Sequence, residues 1–164
     1  MIDYVGLGSN VGDRDAMLRA ALEQLEGLPQ TSLLKVSAFY ETEPVGVVDQ
    51  PWFLNAVVQL DSDLSPGQLM WNLLRIERGL GRIRRDRRGP RTIDLDLLLA
   101  GDLVLDEPGL IVPHPELLQR AFALVPLVEI EPQLVHPVTG ETLLQHLARL
   151  GSGQTVHRAS GEPQ

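Results

Sequence analysis

Two carboxylates, Asp94 and Asp96, stand at i and i+2 in the run TIDLDLLL. On an extended strand that spacing points both side chains to one face, with Leu98, while Ile93, Leu95, Leu97 and Leu99 point to the other. Neighbouring carboxylates repel unless a cation or protons lie between them. Mg2+ suits the arrangement, because it takes one or two carboxylates and fills its remaining positions with water and substrate phosphate oxygens. An exposed polar strand face is the alternative for the pair taken alone. Just upstream, RIRRDRRGPR holds Arg82, Arg84, Arg85, Arg87, Arg88 and Arg91 against a single Asp86. That is six of the chain's 14 cationic residues and a local net charge of +5, so the rest of a chain of formal charge −8 stands at −13. Guanidinium groups pair phosphate oxygens bidentately, which makes the cluster suited to a compact polyanion, although arginines in a loop can also be a solvated face. Side by side, the two segments supply what phosphoryl transfer needs: metal on the phosphates and positive charge over the transferred group. Gly79, Gly81 and Gly89 around the arginines suggest a lid that closes on a nucleotide.

The elements that must position these residues follow from periodicity and punctuation. Residues 2 to 7 read as a strand ending at Gly8, and Asp13 caps a helix whose Met17, Leu18, Ala21, Leu22 and Leu25 recur at helical spacing. LLKVSAFY (33–40) and FLNAVVQL (53–60) read as an antiparallel strand pair joined by the Gly- and Pro-bearing stretch 41–51. Ser65 and Pro66 open a second helix through about Arg78, and after the arginine loop RTIDLDLLLAG is a strand with strict alternation. The order β, α, β, β, α, β predicts an α+β sheet with helices on one face. Beyond it, 103–105 is a short strand, ELLQRAFALVPLVEI a helix or broken helix, ETLLQHLARL a final helix, and the polar tail from Gly151 is loose. We therefore expect a single domain over 1–150 and a tail over 151–164.

Composition narrows the chemistry. With 164 residues and 43% hydrophobic content the chain fits one compact domain. It has no Cys, which excludes disulfides, thiolate metal sites and a Cys nucleophile. No membrane span or export signal is legible, so the expected location is the cytoplasm. Gly6, Gly8 and Gly12 in VGLGSNVG follow a strand and precede a helix, but the spacing GxGxxxG and the hairpin that follows disfavour a dinucleotide fold. There is no GxxxxGK[ST] phosphate loop. At the exit of ETEPVGVVDQPWFLNA, Phe53 and Asn55 share a strand face, where a flat heterocycle could stack and receive amide hydrogen bonds; core packing and a turn role are the plainer readings.

Taken in order, FYETEPVG, DQPWFLNA, RIERGLGRIRR, GPRTIDLDLLL and VPHPELLQRAF closely resemble the 6-hydroxymethyl-7,8-dihydropterin pyrophosphokinase family of folate biosynthesis, over nearly residues 1 to 137. The resemblance implies a ferredoxin-like βαββαβ fold with a C-terminal helical extension, and transfer of pyrophosphate from ATP with AMP as second product. It also implies two Mg2+ ions bridged by Asp94 and Asp96. Phe53 and Phe122 would sandwich the pterin, Asn55 would hydrogen-bond it, and the backbone of Thr42, Glu43 and Val45 would read its other edge. On the ATP side it implies Leu74, Glu77, Leu97, Ile111 and His114 about the nucleotide, with Arg84 and Arg120 on the phosphates and Arg87 in the lid. Arg82 and Arg91 would assist the transfer, Arg91 also touching ATP. Leu74 stands where some relatives carry a glutamine, Pro115 replaces an aromatic beside the histidine, and Phe53 replaces a common tyrosine. The expected partners are small molecules, ATP and a reduced pterin, with no nucleic acid or membrane and a monomeric chain. Two other classes fit parts of the sequence: a ferredoxin-like module for single-stranded RNA, opposed by 4% aromatic content and the acidic body, and a non-catalytic ATP-binding regulator.

Overall fold

The structure, a computed structural model, describes residues 1–44, 49–81, 93–151 and 154–159. β1 (Ile2–Ser9) leads into α1 (Arg14–Glu26), where the Asp13 side chain accepts the backbone N–H of Ala16 at 3.0 Å. The expected second strand is divided into β2 (Thr31–Val36) and β3 (Tyr40–Thr42), both antiparallel to β4 (Phe53–Ser62). At the break, Ser37 bonds Val57 twice, its N–H donating to the carbonyl and its hydroxyl accepting the N–H, each at 2.9 Å. α2 (Pro66–Gly79) opens with Ser65 and Gln68 capping each other reciprocally, at 3.1 and 2.9 Å. β5 (Asp94–Ala100) follows. The short strand anticipated at 103–105 is instead a hairpin of β6 (Leu105–Glu107) and β7 (Leu110–Val112), turning through Gly109 at φ +76°. A 3-10 turn (Leu117–Gln119), α3 (Ala121–Ile130) and α4 (Leu143–Leu150) come next. Inside the stretch expected to be a loose tail, Val156–Arg158 forms a further strand, β8.

The sheet runs β5-β1-β4-β3-β8, with β2 also paired to β4. This is an α+β architecture on an antiparallel sheet. Helices cover both faces, not one. On the first face Val5, Leu7, Ala56, Val58, Leu95 and Leu97 meet α1 and α2 through Leu18, Leu25, Leu69 and Leu73. Each of those helix leucines is fully buried and contributes about 2 kcal/mol of transfer free energy. On the second face α3 and α4 cover Tyr4, Val57, Leu98 and Leu99 through Leu124, Leu127 and Leu143. The alternation expected of β5 fails at this point: Leu98 and Leu99 lie in the same core. The register explains it, since Val5 pairs Leu97 and Tyr4 pairs Leu99, which makes Leu98 the extra residue of a bulge. The bulge brings both Leu98 and Leu99 into the core of the second face, while Asp94 and Asp96 stay half-buried outside it.

Asp3, near the start of β1, is 2% exposed and its Oδ1 has no hydrogen-bond partner among the described residues. Burial pushes its carboxyl up to about 7, against a smaller opposing effect of the N-terminal ammonium. Because the folded-state value lies above the unfolded one, the unfolded chain ionises first as pH rises. Stability should therefore fall between about pH 4 and 7 and level off above. Asp3→Asn should flatten that slope and raise unfolding free energy at pH 8 by roughly 2 kcal/mol, allowing for solvent screening, as read from urea titrations across pH.

Candidate active site

The polar end of the second sheet face is left open, and its side chains define the site. Across the strands Asp96 pairs Gly6, Gly6 pairs Val57, Asp94 pairs Gly8, Gly8 pairs Asn55, and Asn55 pairs Tyr40. Two glycines thus sit between the carboxylates and the amide. A Cβ on Gly8 would lie 2.6 Å from Asn55 Nδ2, and one on Gly6 would lie 3.4 Å from a Leu98 methyl. Bare backbone on β1 forms the floor of a cavity of about 390 Å³. Asp94 and Asp96 stand on one side of it, Thr42, Phe53 and Asn55 on the other, and Arg120 and Phe122 enter from the start of α3.

The amide of Asn55 is fixed in orientation. Its Oδ1 accepts the Thr42 hydroxyl at 2.5 Å and its Nδ2 donates to the Leu7 carbonyl at 3.3 Å, all within a buried setting. A second amide hydrogen is left for a ligand. Behind Phe53, Arg14 grips Glu41 through two bonds of 2.7 and 2.8 Å and the Trp52 carbonyl at 3.0 Å. That guanidinium holds the Glu41 carboxyl below its ordinary value. Asn10 donates to the Gln50 side chain at 2.9 Å and the Pro51 carbonyl at 3.0 Å, securing the exit of the loop that leads into β4.

A second cavity of about 320 Å³ opens on the other side of the carboxylates. Leu74 and Glu77 of α2, Leu97 of β5, Ile111 of β7 and His114 line it, together with the same Asp94 and Asp96. Glu77 is 1% exposed, and its Oε2 accepts the N–H of Leu95 at 2.7 Å. The acid thereby fixes the peptide between the two aspartates. His114 donates its backbone N–H to the Leu98 carbonyl at 2.9 Å, and its Nδ1 accepts the N–H of Glu116 at 3.1 Å. Burial, aided by the nearby Arg120 charge, lowers its pKa, which favours a neutral ring protonated at Nε2. Arg120 donates to Glu116 at 2.8 Å, approaches Asp96 Oδ2 at 3.7 Å and stacks 5.4 Å from the centre of the Phe122 ring. The guanidinium thus lies beside one of the two acids, facing the first cavity.

Most residues singled out in the sequence therefore converge on one place. Thr42, Glu43, Phe53, Asn55, Arg120 and Phe122 meet at the first cavity, Leu74, Glu77, Leu97, Ile111 and His114 at the second, and Asp94 and Asp96 at both. Arg120, expected among the ATP contacts, lines the first cavity. Val45, Arg82, Arg84, Arg87 and Arg91 lie outside the described residues. Sequence reasoning missed Gly6 and Gly8, which it weighed as a dinucleotide loop although both lie within β1. Their signal was alternation: glycine at i and i+2 of an otherwise apolar strand marks a close approach on one face. It also missed Gln50, Gln119 and Gln154 in the cavity wall.

Comparison with known proteins gives a consistent result. Residues 4–132 match the sequence profile of the family described as 7,8-dihydro-6-hydroxymethylpterin-pyrophosphokinase (HPPK). A 2-amino-4-hydroxy-6-hydroxymethyldihydropteridine pyrophosphokinase of Methylorubrum extorquens is 47% identical over 147 residues, covering 90% of this chain and 92% of that protein. One from Bacillus subtilis is 42% identical over 164 residues, covering 97% and 98%. The folic acid synthesis protein fol1 of Pneumocystis carinii is 40% identical over 147 residues, and there the match spans 90% of this chain but 20% of the longer protein. Among solved structures, wild-type HPPK-DHPS of Plasmodium falciparum superposes with a TM-score of 0.70 at 14% identity, over 90% of this chain and 44% of that one. The latter likeness is one of fold.

Proposed function

The chain belongs to the 7,8-dihydro-6-hydroxymethylpterin-pyrophosphokinase family, and from that premise we propose how its two cavities divide the reaction. The activity is transfer of pyrophosphate from ATP to 6-hydroxymethyl-7,8-dihydropterin in folate synthesis, leaving AMP. The observation that carries our assignment is the shared wall: Asp94 and Asp96 line both cavities, so a group passing from one ligand to the other passes the carboxylates. The first cavity takes the pterin. Phe53 and Phe122 offer ring faces, and Asn55, oriented by Thr42 and Leu7, offers a hydrogen-bond donor to the heterocycle. The second takes ATP, with Leu74, Leu97 and Ile111 as apolar surface, Glu77 as a positioning group and neutral His114 as a donor.

In the transfer, the pterin hydroxymethyl oxygen forms a bond to the β-phosphorus. The bond from that phosphorus to the bridging α,β-oxygen breaks, and AMP leaves with the oxygen; the hydroxyl proton passes to solvent. Asp94 and Asp96 suit a hard divalent cation. Both are oxygen donors on one strand face opposite side-chain-free glycines, and among the described residues no cluster of three or more ligating side chains forms. A cation there would draw its other ligands from phosphate and water, which is the habit of Mg2+, and we assign two such ions to the pair. When bound, Mg2+ supplies charge to neutralise the phosphate oxygens. Arg120 lies beside Asp96 and is set to pair phosphate oxygens, while Arg82, Arg84, Arg87 and Arg91 are assigned to the same charge on sequence grounds. Positioning then does most of the catalysis, since a loose transition state needs no strong base.

We further read the strand order as ferredoxin-like, with β2 and β3 together as its second strand and α3 and α4 as the C-terminal extension. We take the protein to act as a monomer on small molecules in the cytoplasm; no helix among the described residues is long and apolar enough to cross a membrane. The transfer that this division serves has a direct test. With ATP, Mg2+ and 6-hydroxymethyl-7,8-dihydropterin, AMP should accumulate in step with pterin diphosphate and vanish when the pterin is omitted. Formation of ADP in place of AMP would overturn the reading.

A further inference from the structure

The family match ends at residue 132, yet the chain returns to the first cavity well after it. β8 pairs β3 along its outer edge, with Thr42 opposite Val156, Glu41 opposite His157 and Tyr40 opposite Arg158, and Ala159 N–H donates to the Phe39 carbonyl at 2.9 Å. Just before the strand, residues 154 and 155 engage Glu43 in three ways. Gln154 Nε2 donates to the Glu43 carbonyl at 2.9 Å, Thr155 N–H donates to the Glu43 carboxylate at 2.7 Å, and Glu43 N–H donates to the Thr155 carbonyl at 3.2 Å. Gln154 itself lines the cavity beside Thr42 and Glu43. At the other end of the 43–52 connection, the His157 ring lies 5.9 Å from that of Trp52, the neighbour of Phe53. One short segment therefore touches Glu43 on one side of the cavity and Trp52, beside the cavity-lining Phe53, on the other.

We propose that this C-terminal segment is a working wall of the pterin cavity, with Gln154 as a positioning residue that holds the Thr42–Glu43 edge at the spacing the flat ring needs. The inference rests on the assignment of the first cavity to the pterin. Its physical basis is the brevity of β3: three residues paired to β4 on one side give little stiffness, and a strand on the second side doubles the ladder. Thr42 is one of the two residues that orient Asn55, so drift of β3 reaches the amide that faces the ligand. The carbonyl of Glu43 is held by Gln154, which fixes the direction of that peptide unit. A passive tail would cover the edge strand and have no bearing on ligand affinity.

The effect should be confined to one substrate. Gln154→Glu keeps the size of the side chain but replaces the amide donor with a carboxylate facing the Glu43 carbonyl. We expect KM for the pterin to rise roughly three- to tenfold, the worth of one net hydrogen bond, with KM for ATP and kcat within about twofold of the parent. A chain ending at Gly151, which lacks β8, should show a larger rise of the same kind. Far-ultraviolet circular dichroism and ATP affinity would establish that the truncated chain is folded. Direct binding of 6-hydroxymethylpterin, followed by its own fluorescence, should weaken in parallel. Equal pterin KM and binding in parent and Gln154→Glu would overturn the wall; a parallel loss of ATP and pterin affinity would do so as well, by making the role a structural one. Failure of the parent chain to bind the pterin at all would instead remove the underlying cavity assignment.

Discussion

Exchange of either strand carboxylate for its amide, Asp94→Asn or Asp96→Asn, should lower the rate of AMP formation by roughly two to three orders of magnitude, the usual loss when a preorganised electrostatic group is removed from a transfer site. The substitution keeps volume and strand geometry, and both side chains are only partly buried, so unfolding free energy should change little. The defect should appear in kcat and deepen as Mg2+ is lowered, because the variant loses a ligand for the ion that the pair is assigned to hold. Asp96→Asn carries a second consequence. Arg120, 3.7 Å from Asp96 Oδ2, would keep its bond to Glu116 but lose the opposite charge on the transfer side. Turnover close to that of the parent in both variants would remove the metal assignment.

The second large effect is expected from the smallest substitution. Gly8→Ala places a methyl group 2.6 Å from Asn55 Nδ2, closer than side-chain atoms approach, so the amide must turn away. In turning it gives up the Thr42 hydroxyl and the Leu7 carbonyl and no longer presents a donor to the cavity. Those two bonds are internal, so their loss weakens folding; the ligand loses the one donor the amide offered, and leaving its polar group without a partner costs about 1–3 kcal/mol, so KM for the pterin should rise by roughly 5- to 150-fold. ATP affinity should hold, since Gly8 does not line the second cavity. Gly8→Ala combined with Asn55→Ala should be less than additive, because the second change removes the group that the first displaces.

How much of this was legible in the sequence varied with the range of the interaction that sets it. Caps are local, and Asp13, Ser65 and Pro66 placed both early helices where they are found. The Asp-x-Asp pair and the apolar face behind it also followed from a two-residue period. The failures were all non-local. Nothing in LLKVSAFY says that Ser37 will bond Val57 and split the strand, because that depends on a residue 20 positions away. The bulge at Leu98 depends on the register with Tyr4 and Val5, nearly the whole domain apart in sequence. β8 escaped for the same reason. TVHRA has the β-branched pair of a strand, but its polar surroundings read as tail, and its pairing partner lies more than a hundred residues earlier. Helices on a single face followed naturally from the βαββαβ count, and they fell short because Leu98, Leu99, Tyr4 and Val57 require a cover that only the later helices provide.

The wall of two carboxylates that both cavities share also has a thermodynamic meaning. A ligand entering either side alters the same two charges, so the affinity of each side is a function of what occupies the other. Linkage then requires reciprocity: whatever factor ATP, with its cations, adds to the hold on the pterin, the pterin must return to ATP. Glu77 would strengthen that tie, because it fixes the Leu95 peptide, between the two acids, from the side of the second cavity, which we assign to the nucleotide. On the proposed division of the cavities, coupling between the substrates would run through β5, a single strand that would serve as the common terminal of two binding equilibria.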